Sequence, residues 1–77
     1  VIRGGFNISL AEIDEILAKH PHVVDSCSFG VPDAIAGEEL MCLVYVRSEV
    51  SVSEAELKEW VSHRAGSYKT PRRILFS

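Results

Sequence analysis

The chain has 77 residues, of which 47% are hydrophobic and 25% charged, and a formal net charge of -3. That length allows one small domain with a thin stability margin, and the acidic balance argues against a nucleic-acid binder, which needs a basic field to displace phosphate counterions. No stretch is apolar for long enough to span a bilayer, Val1 opens no signal-peptide pattern, and the lack of an initiating Met suggests a piece of a longer protein.

In chain order, Val1 to Arg3 is expected to end a short strand ahead of Gly4-Gly5. Ser9-Leu10-Ala11-Glu12 fits a capping box: the Ser hydroxyl takes an N–H of the first turn and the Glu carboxylate reaches back to the cap. Leu10, Ile13, Ile16 and Leu17 then share one helical face, with Glu12, Asp14, Glu15 and Lys19 toward solvent. Pro21 ends this helix near His20. Val23 to Val31 predicts a strand with Val23, Cys27, Phe29 and Val31 on one face and Ser26 and Ser28 on a polar, solvated one. Pro32-Asp33 and Gly37 bracket a loop. Leu40 through Val46 is an almost unbroken apolar run, which predicts a central strand buried on both faces. Ser53 to Glu56 repeats the capping box; Leu57, Trp60 and Val61 form the buried stripe that follows, and Gly66 stops the helix. A basic connection, Tyr68 to Arg73, leads into a last strand from Ile74 to Phe76. This order predicts an α+β fold: a small two-layer domain with a mainly antiparallel three-stranded sheet packed with two principal helices.

Cys27 and Cys42 each lie in an apolar run and read as reduced core hydrophobes, in keeping with a cytoplasmic location. His20-Pro21-His22 and the solitary His63 have no zinc-ligand spacing, so no metal site is expected. The chain has no nucleophile elbow, no Walker-type loop and no pair of carboxylates at buried positions. Two segments rise above that background. The bare backbone of Gly4-Gly5 serves either as a structural turn before a helix or as the border of a narrow channel for a slender ligand. Tyr68 stands beside Lys69, Arg72 and Arg73, and an aromatic among cations can stack a base and grip phosphate oxygens; an exposed basic loop is the alternative.

Four motifs in order, at matching intervals along essentially the whole chain, resemble the small C-terminal domain of adenylate-forming enzymes. Gly4-Gly5-Phe6-Asn7-Ile8 with Glu12-Ile13-Asp14 is similar to the Gly-Gly-Glu-Asn-Ile-x-Pro-x-Glu-Ile-Glu of acyl-CoA synthetases. His20-Pro21 with Val23 resembles their His-Pro-x-Val, Gly30-Val31-Pro32-Asp33 with Gly37-Glu38 their Gly-Val-Pro-Asp-x-x-x-Gly-Glu, and Tyr68-Lys69-Thr70-Pro71-Arg72 their Tyr-Lys-x-Pro-Arg.

The resemblance implies one piece of an AMP-forming acid–thiol ligase: a mobile lid, residues 1–77, that turns against a large N-terminal adenylation domain of the same chain. ATP with Mg and a carboxylate give an acyl-adenylate, and CoA then displaces AMP to form a thioester. On this resemblance Gly4 and Gly5 border the pantetheine channel, and Tyr68, Lys69 and Arg72 meet the CoA nucleotide. The family's adenylating lysine lies beyond Ser77, so the chain alone is expected to be inactive, with no cofactor bound and no catalytic residue of its own. Leu10 replaces the family's usual Pro at a helix position that tolerates either, and Phe6 replaces its common Glu. Leu10 also keeps open an adenylation domain that loads a carrier-protein phosphopantetheine. A stand-alone binding module is the remaining alternative.

Overall fold

The computed structural model describes residues 2–3, 6–35 and 37–77. Two helices lie against one face of a mixed sheet. Strands β1 (Ile2–Arg3) and β2 (Phe6–Asn7) pair antiparallel and are followed by helix α1 (Leu10–Ala18), strand β3 (Val23–Asp33), strand β4 (Gly37–Val46), helix α2 (Glu54–Ala65) and strand β5 (Arg73–Phe76). β3 and β4 pair antiparallel from Val23 opposite Val46 to Asp33 opposite Gly37. The other edge of β4 takes β1 at Gly37 and, in parallel, β5 from Met41 to Val44. Strands β3, β4 and β5 therefore form the expected three-stranded sheet with β4 in the middle. The β4–β5 pair is parallel because α2 carries the chain back across the sheet between them.

Ile13 and Leu17 from α1, Leu40, Cys42 and Val44 from β4, Leu57 and Val61 from α2, and Ile74 from β5 share one buried cluster. Both helices start on a serine cap: the Glu12 N–H donates to Ser9 Oγ at 3.3 Å and the Glu56 N–H to Ser53 Oγ at 3.0 Å. The second half of each expected capping box is diverted. Glu12 receives the ammonium of Lys69 and Glu56 the ring of His20, both from distant elements. Glu54, in the first turn of α2, reaches β5 instead. Its carboxylate accepts the Ile74 N–H at 2.8 Å and Arg73 Nε at 2.9 Å, which together hold it below the ordinary carboxylate range.

Beyond Val23 the two faces of β3 are the reverse of the expected ones. A register shift between Val23 and Asp25 inserts an extra residue, so Val23 and Ser28 are both buried while Cys27 is exposed. One added residue changes which side every later side chain occupies. Ser26 is therefore half-buried and Ser28 buried: both hydroxyls donate to Oδ1 of the half-buried Asp14, at 3.0 and 2.7 Å. Ser28 Oγ also lies 3.2 Å from Cys42 Sγ. β4 departs from expectation as well. Leu40, Cys42 and Val44 are buried under the helices, but Met41 and Leu43 are only half-buried and Tyr45 is exposed, so the strand is covered on one face.

Burial is the main reason the Cys42 thiol is pushed up to about 11, with Asp14 adding to it against the Ser28 bond. A thiol raised in this way contributes stability that is complete below the reference value of 9.0 and is lost as pH climbs from there toward about 11. A disulfide exchange reagent should accordingly titrate one thiol, Cys27, under native conditions and both in urea. Two rapid equivalents from the folded chain would contradict this burial.

Candidate functional site

The Tyr68–Arg72 segment is held in place from both ends. Helix α2 stops at Gly66, whose φ of 93° suits glycine and whose N–H donates to Ser62 O at 2.9 Å. A single turn, Ser67–Lys69, then folds Tyr68 back so that a Cβ on Gly66 would lie 3.0 Å from its ring. At the far end Pro71 is buried and the Arg72 N–H donates to Leu40 O at 2.9 Å, which leads the chain onto β4. Tyr68 itself remains 48% exposed. Gly66→Ala is expected to cost about 1–3 kcal/mol, because a Cβ is strained at φ 93° and ψ 157°, and to displace the Tyr68 ring. The checks are the urea midpoint and the Tyr68 ring resonances; unmoved resonances would show that the ring is held by something else.

The three cations of this segment point in three different directions, to four carboxylates. Lys69 Nζ lies 2.7 Å from Glu12 Oε1 in the first turn of α1, and this bond is the main reason its pKa is raised. Arg72 sits 3.5 Å from Asp33 Oδ2 and 3.7 Å from Glu39 Oε2, with its guanidinium 60% exposed. Arg73 is turned to Glu54 and takes no part. Gly4 and Gly5 lie outside the described residues; they fall between the paired Arg3 and Phe6. On their C-terminal side, buried Ile8 and the Ser9 cap anchor the chain as it enters α1. The structure thus brings Lys69 to the first turn of the helix that follows the glycines. It places Arg72 over the end of β3, beside the Gly30-to-Asp33 motif.

Three features escaped sequence reasoning. Glu39 is buried on β4 next to Arg72, a position where alternation alone suggests only an exposed carboxylate. The Asp14–Ser28 contact joins α1 to β3 and has no local sequence signature. Third, His20, His22, Trp60 and Arg64 line an open groove, in which the Arg64 guanidinium stacks 3.2 Å from the Trp60 ring centre and His20 meets the Trp60 ring edge-on. The spacing of Trp60 and Arg64 along one helix face is the signal that was available for that stack. No group of three or more His, Cys, Asp or Glu among the described residues is placed to hold a metal ion.

The model of the AMP-binding enzyme C-terminal domain family matches residues 12–77, most of the chain. The chain belongs to this family. As a member it is similar to the sulfoacetate–CoA ligase of Cupriavidus necator, at 38% identity over 76 residues, 99% of this chain and 15% of that protein. It is 42% identical over 77 residues to a putative acyl-CoA synthetase, YngI, of Bacillus subtilis, covering 100% of this chain and 14% of that one. Among solved structures, ATP-bound MatB from Rhodopseudomonas palustris superposes with a TM-score of 0.93 at 31% identity, over 100% of this chain and 15% of that chain. The AMP-binding C-terminal domain described here thus spans about 15% of the length of these relatives. Among the described residues no helix is long and apolar enough to cross a membrane.

Proposed function

We propose that this domain is the C-terminal lid of an ATP-dependent, AMP-forming acid–thiol ligase and that it serves the thioester step through Gly4-Gly5. The ligase part of this reading is supported by the family match over residues 12–77 and by relatives named as CoA ligases; the role of Gly4-Gly5, ahead of the matched residues, rests on their motif alone. In the first step a substrate carboxylate oxygen attacks the α-phosphorus of ATP and pyrophosphate leaves. In the second the thiol sulfur attacks the acyl carbon, the acyl–phosphate C–O bond breaks, AMP departs and the thiol proton passes to solvent. Catalysis of the second step requires a narrow approach for the pantetheine arm, and a backbone without side chains provides it.

Tyr68 and Arg72 are assigned to the nucleotide end of the thiol donor. Tyr68 offers an exposed ring for stacking on adenine, and Arg72 offers an exposed guanidinium that can grip phosphate while it leans on Asp33 and Glu39. Lys69, which sequence reasoning grouped with them, has its ammonium on Glu12. On this reading ATP and Mg2+ are cofactors of the full-length ligase, as its relatives' names as CoA ligases support.

The test uses the full-length protein with ATP and Mg2+ and a panel of sulfoacetate, oxalate, malonate and medium-chain fatty acids, compounds of the classes named for its relatives. One acid should drive pyrophosphate exchange, and added CoA should then yield its thioester and AMP. No exchange with any acid would refute the ligase reading. Leu10 at the first position of α1 keeps a second acceptor in view. Thioester formed on a phosphopantetheinylated carrier protein, with none on CoA, would replace the CoA assignment.

A further inference from the structure

Arg72 comes to rest between two carboxylates carried by different strands. Its Nη1 lies 3.5 Å from Asp33 Oδ2 at the end of β3 and 3.7 Å from Glu39 Oε2 near the start of β4. We infer that Asp33 and Glu39 are positioning residues, a seat that keeps the Arg72 guanidinium aimed at a ligand phosphate; the inference rests on the phosphate role proposed for Arg72. Three observations support it. First, each carboxylate is itself oriented by a backbone amide. The Ile35 N–H donates to Asp33 Oδ1 at 2.8 Å and the Leu40 N–H to Glu39 Oε1 at 3.3 Å, which turns the second oxygen of each toward Nη1. The carbonyl of the fully buried Leu40 also accepts the Arg72 N–H, at 2.9 Å. One rigid residue thus fixes both the backbone of the arginine and a carboxylate beside its head.

Second, the contacts steer the cation without consuming it. A charge-assisted hydrogen bond from a guanidinium to a carboxylate is about 2.7–2.9 Å long, and both distances here are greater. Both also fall on the one nitrogen, Nη1, which keeps the rest of the fork for phosphate oxygens. Third, exposure rises outward, from 10% for the Glu39 side chain through 23% for Asp33 to 60% for Arg72. An approaching phosphate therefore meets the cation before it meets either carboxylate. Folding gives a poor account of the arrangement, because an ion pair with so exposed an arginine contributes little, and buried Pro71 already anchors the segment. Binding gives a better one. A long side chain loose in water must be ordered when its ligand arrives, and a seat formed beforehand removes that cost.

The test is made in the full-length protein with the acid that supports pyrophosphate exchange. Thioester formation is measured with CoA and with pantetheine, which has the same thiol arm and no phosphate, and exchange and the urea midpoint are followed in parallel. Arg72→Ala should raise KM for CoA by about 10-fold or more and leave kcat/KM for pantetheine near wild type. Glu39→Gln and Asp33→Asn keep the size and remove the charge. Each should raise KM for CoA by about 3- to 10-fold with kcat within about 2-fold, while pantetheine kinetics, exchange and midpoint stay near wild type. Added to Arg72→Ala, both should be silent. A KM for CoA unchanged or lowered in either variant, an equal loss with pantetheine, or the same rise without Arg72 would each overturn the seat. If Arg72→Ala raises KM for CoA selectively while the carboxylate variants do not, the seat alone falls. If no acid supports exchange, CoA forms no thioester, or Arg72→Ala leaves its KM unchanged, the phosphate role falls and the seat with it.

Discussion

Replacing Gly5 by Leu in the full-length protein is expected to slow thioester formation by about 100-fold or more, while acid-dependent pyrophosphate exchange stays within about 2-fold of wild type. The asymmetry follows from where a side chain would matter. On the proposed reading a thiol on a long flexible arm must bring its sulfur within bonding approach of the acyl carbon. An isobutyl group at position 5 would obstruct that approach, whereas adenylation would not use it. Gly5→Ala should fall between, because one methyl narrows the approach without closing it. A glycine kept only for a tight turn predicts something else: a substitution that strains the backbone lowers the unfolding midpoint and reduces both half-reactions together. Rapid-quench measurement of each half-reaction, beside a denaturation curve, separates the two. Equal losses would remove Gly5 from the thiol path.

Much of the fold was legible because it is written in local chemistry. Ser9 and Ser53 mark the starts of α1 and α2, Pro21 and Gly66 mark their ends, and the apolar run from Leu40 identifies β4 as the middle strand. What was hidden depends on contacts between distant segments. The extra residue between Val23 and Asp25 leaves no composition signal, yet it decides that Ser28 is buried and Cys27 exposed. The two-sided apolar pattern of β4 cannot say which face the helices take, because Met41 and Leu43 are as hydrophobic as Leu40 and Val44. Glu12 and Glu56 fit a capping role in sequence because a capping box is defined over four positions. A cationic or imidazole donor brought in by the fold makes a stronger bond to a carboxylate than a hydrated backbone amide does, and no local window contains that donor.

The same limit governed the candidate site. Its residues could be named from motifs: Gly4 and Gly5, Tyr68, Lys69 and Arg72. Their relations could not. The Tyr-Lys-Thr-Pro-Arg segment turns out to be the meeting point of two other motifs, with Lys69 on Glu12 of the first and Arg72 on Asp33 of the third. Residues that look like parallel contacts to one nucleotide therefore divide between an exposed surface and an internal tie.

His20, from the remaining motif, leads to the largest expected loss of stability. The ring is 5% exposed and bonded at both nitrogens. Nδ1 accepts the His22 N–H at 3.1 Å, which fixes the turn from α1 into β3, and Nε2 must then carry the hydrogen it gives to Glu56 Oε2 at 2.9 Å on α2. His20→Ala empties a packed site beside Trp60 and strands the His22 N–H, at a combined cost of about 3 kcal/mol. His20→Asn should cost only about half as much, because its side-chain oxygen can accept the same N–H two residues on, as in an Asx turn. Glu56→Gln should cost less than about 1 kcal/mol, since an amide oxygen still accepts from Nε2. Urea unfolding of the three variants gives the order directly. If Asn proves as damaging as Ala, the His22 contact is not what His20 contributes, and the ring's packing against Trp60 must account for the loss. A domain of 77 residues has so little stability to spare that the Ala variant should also populate unfolded chain at temperatures where the Asn variant remains folded.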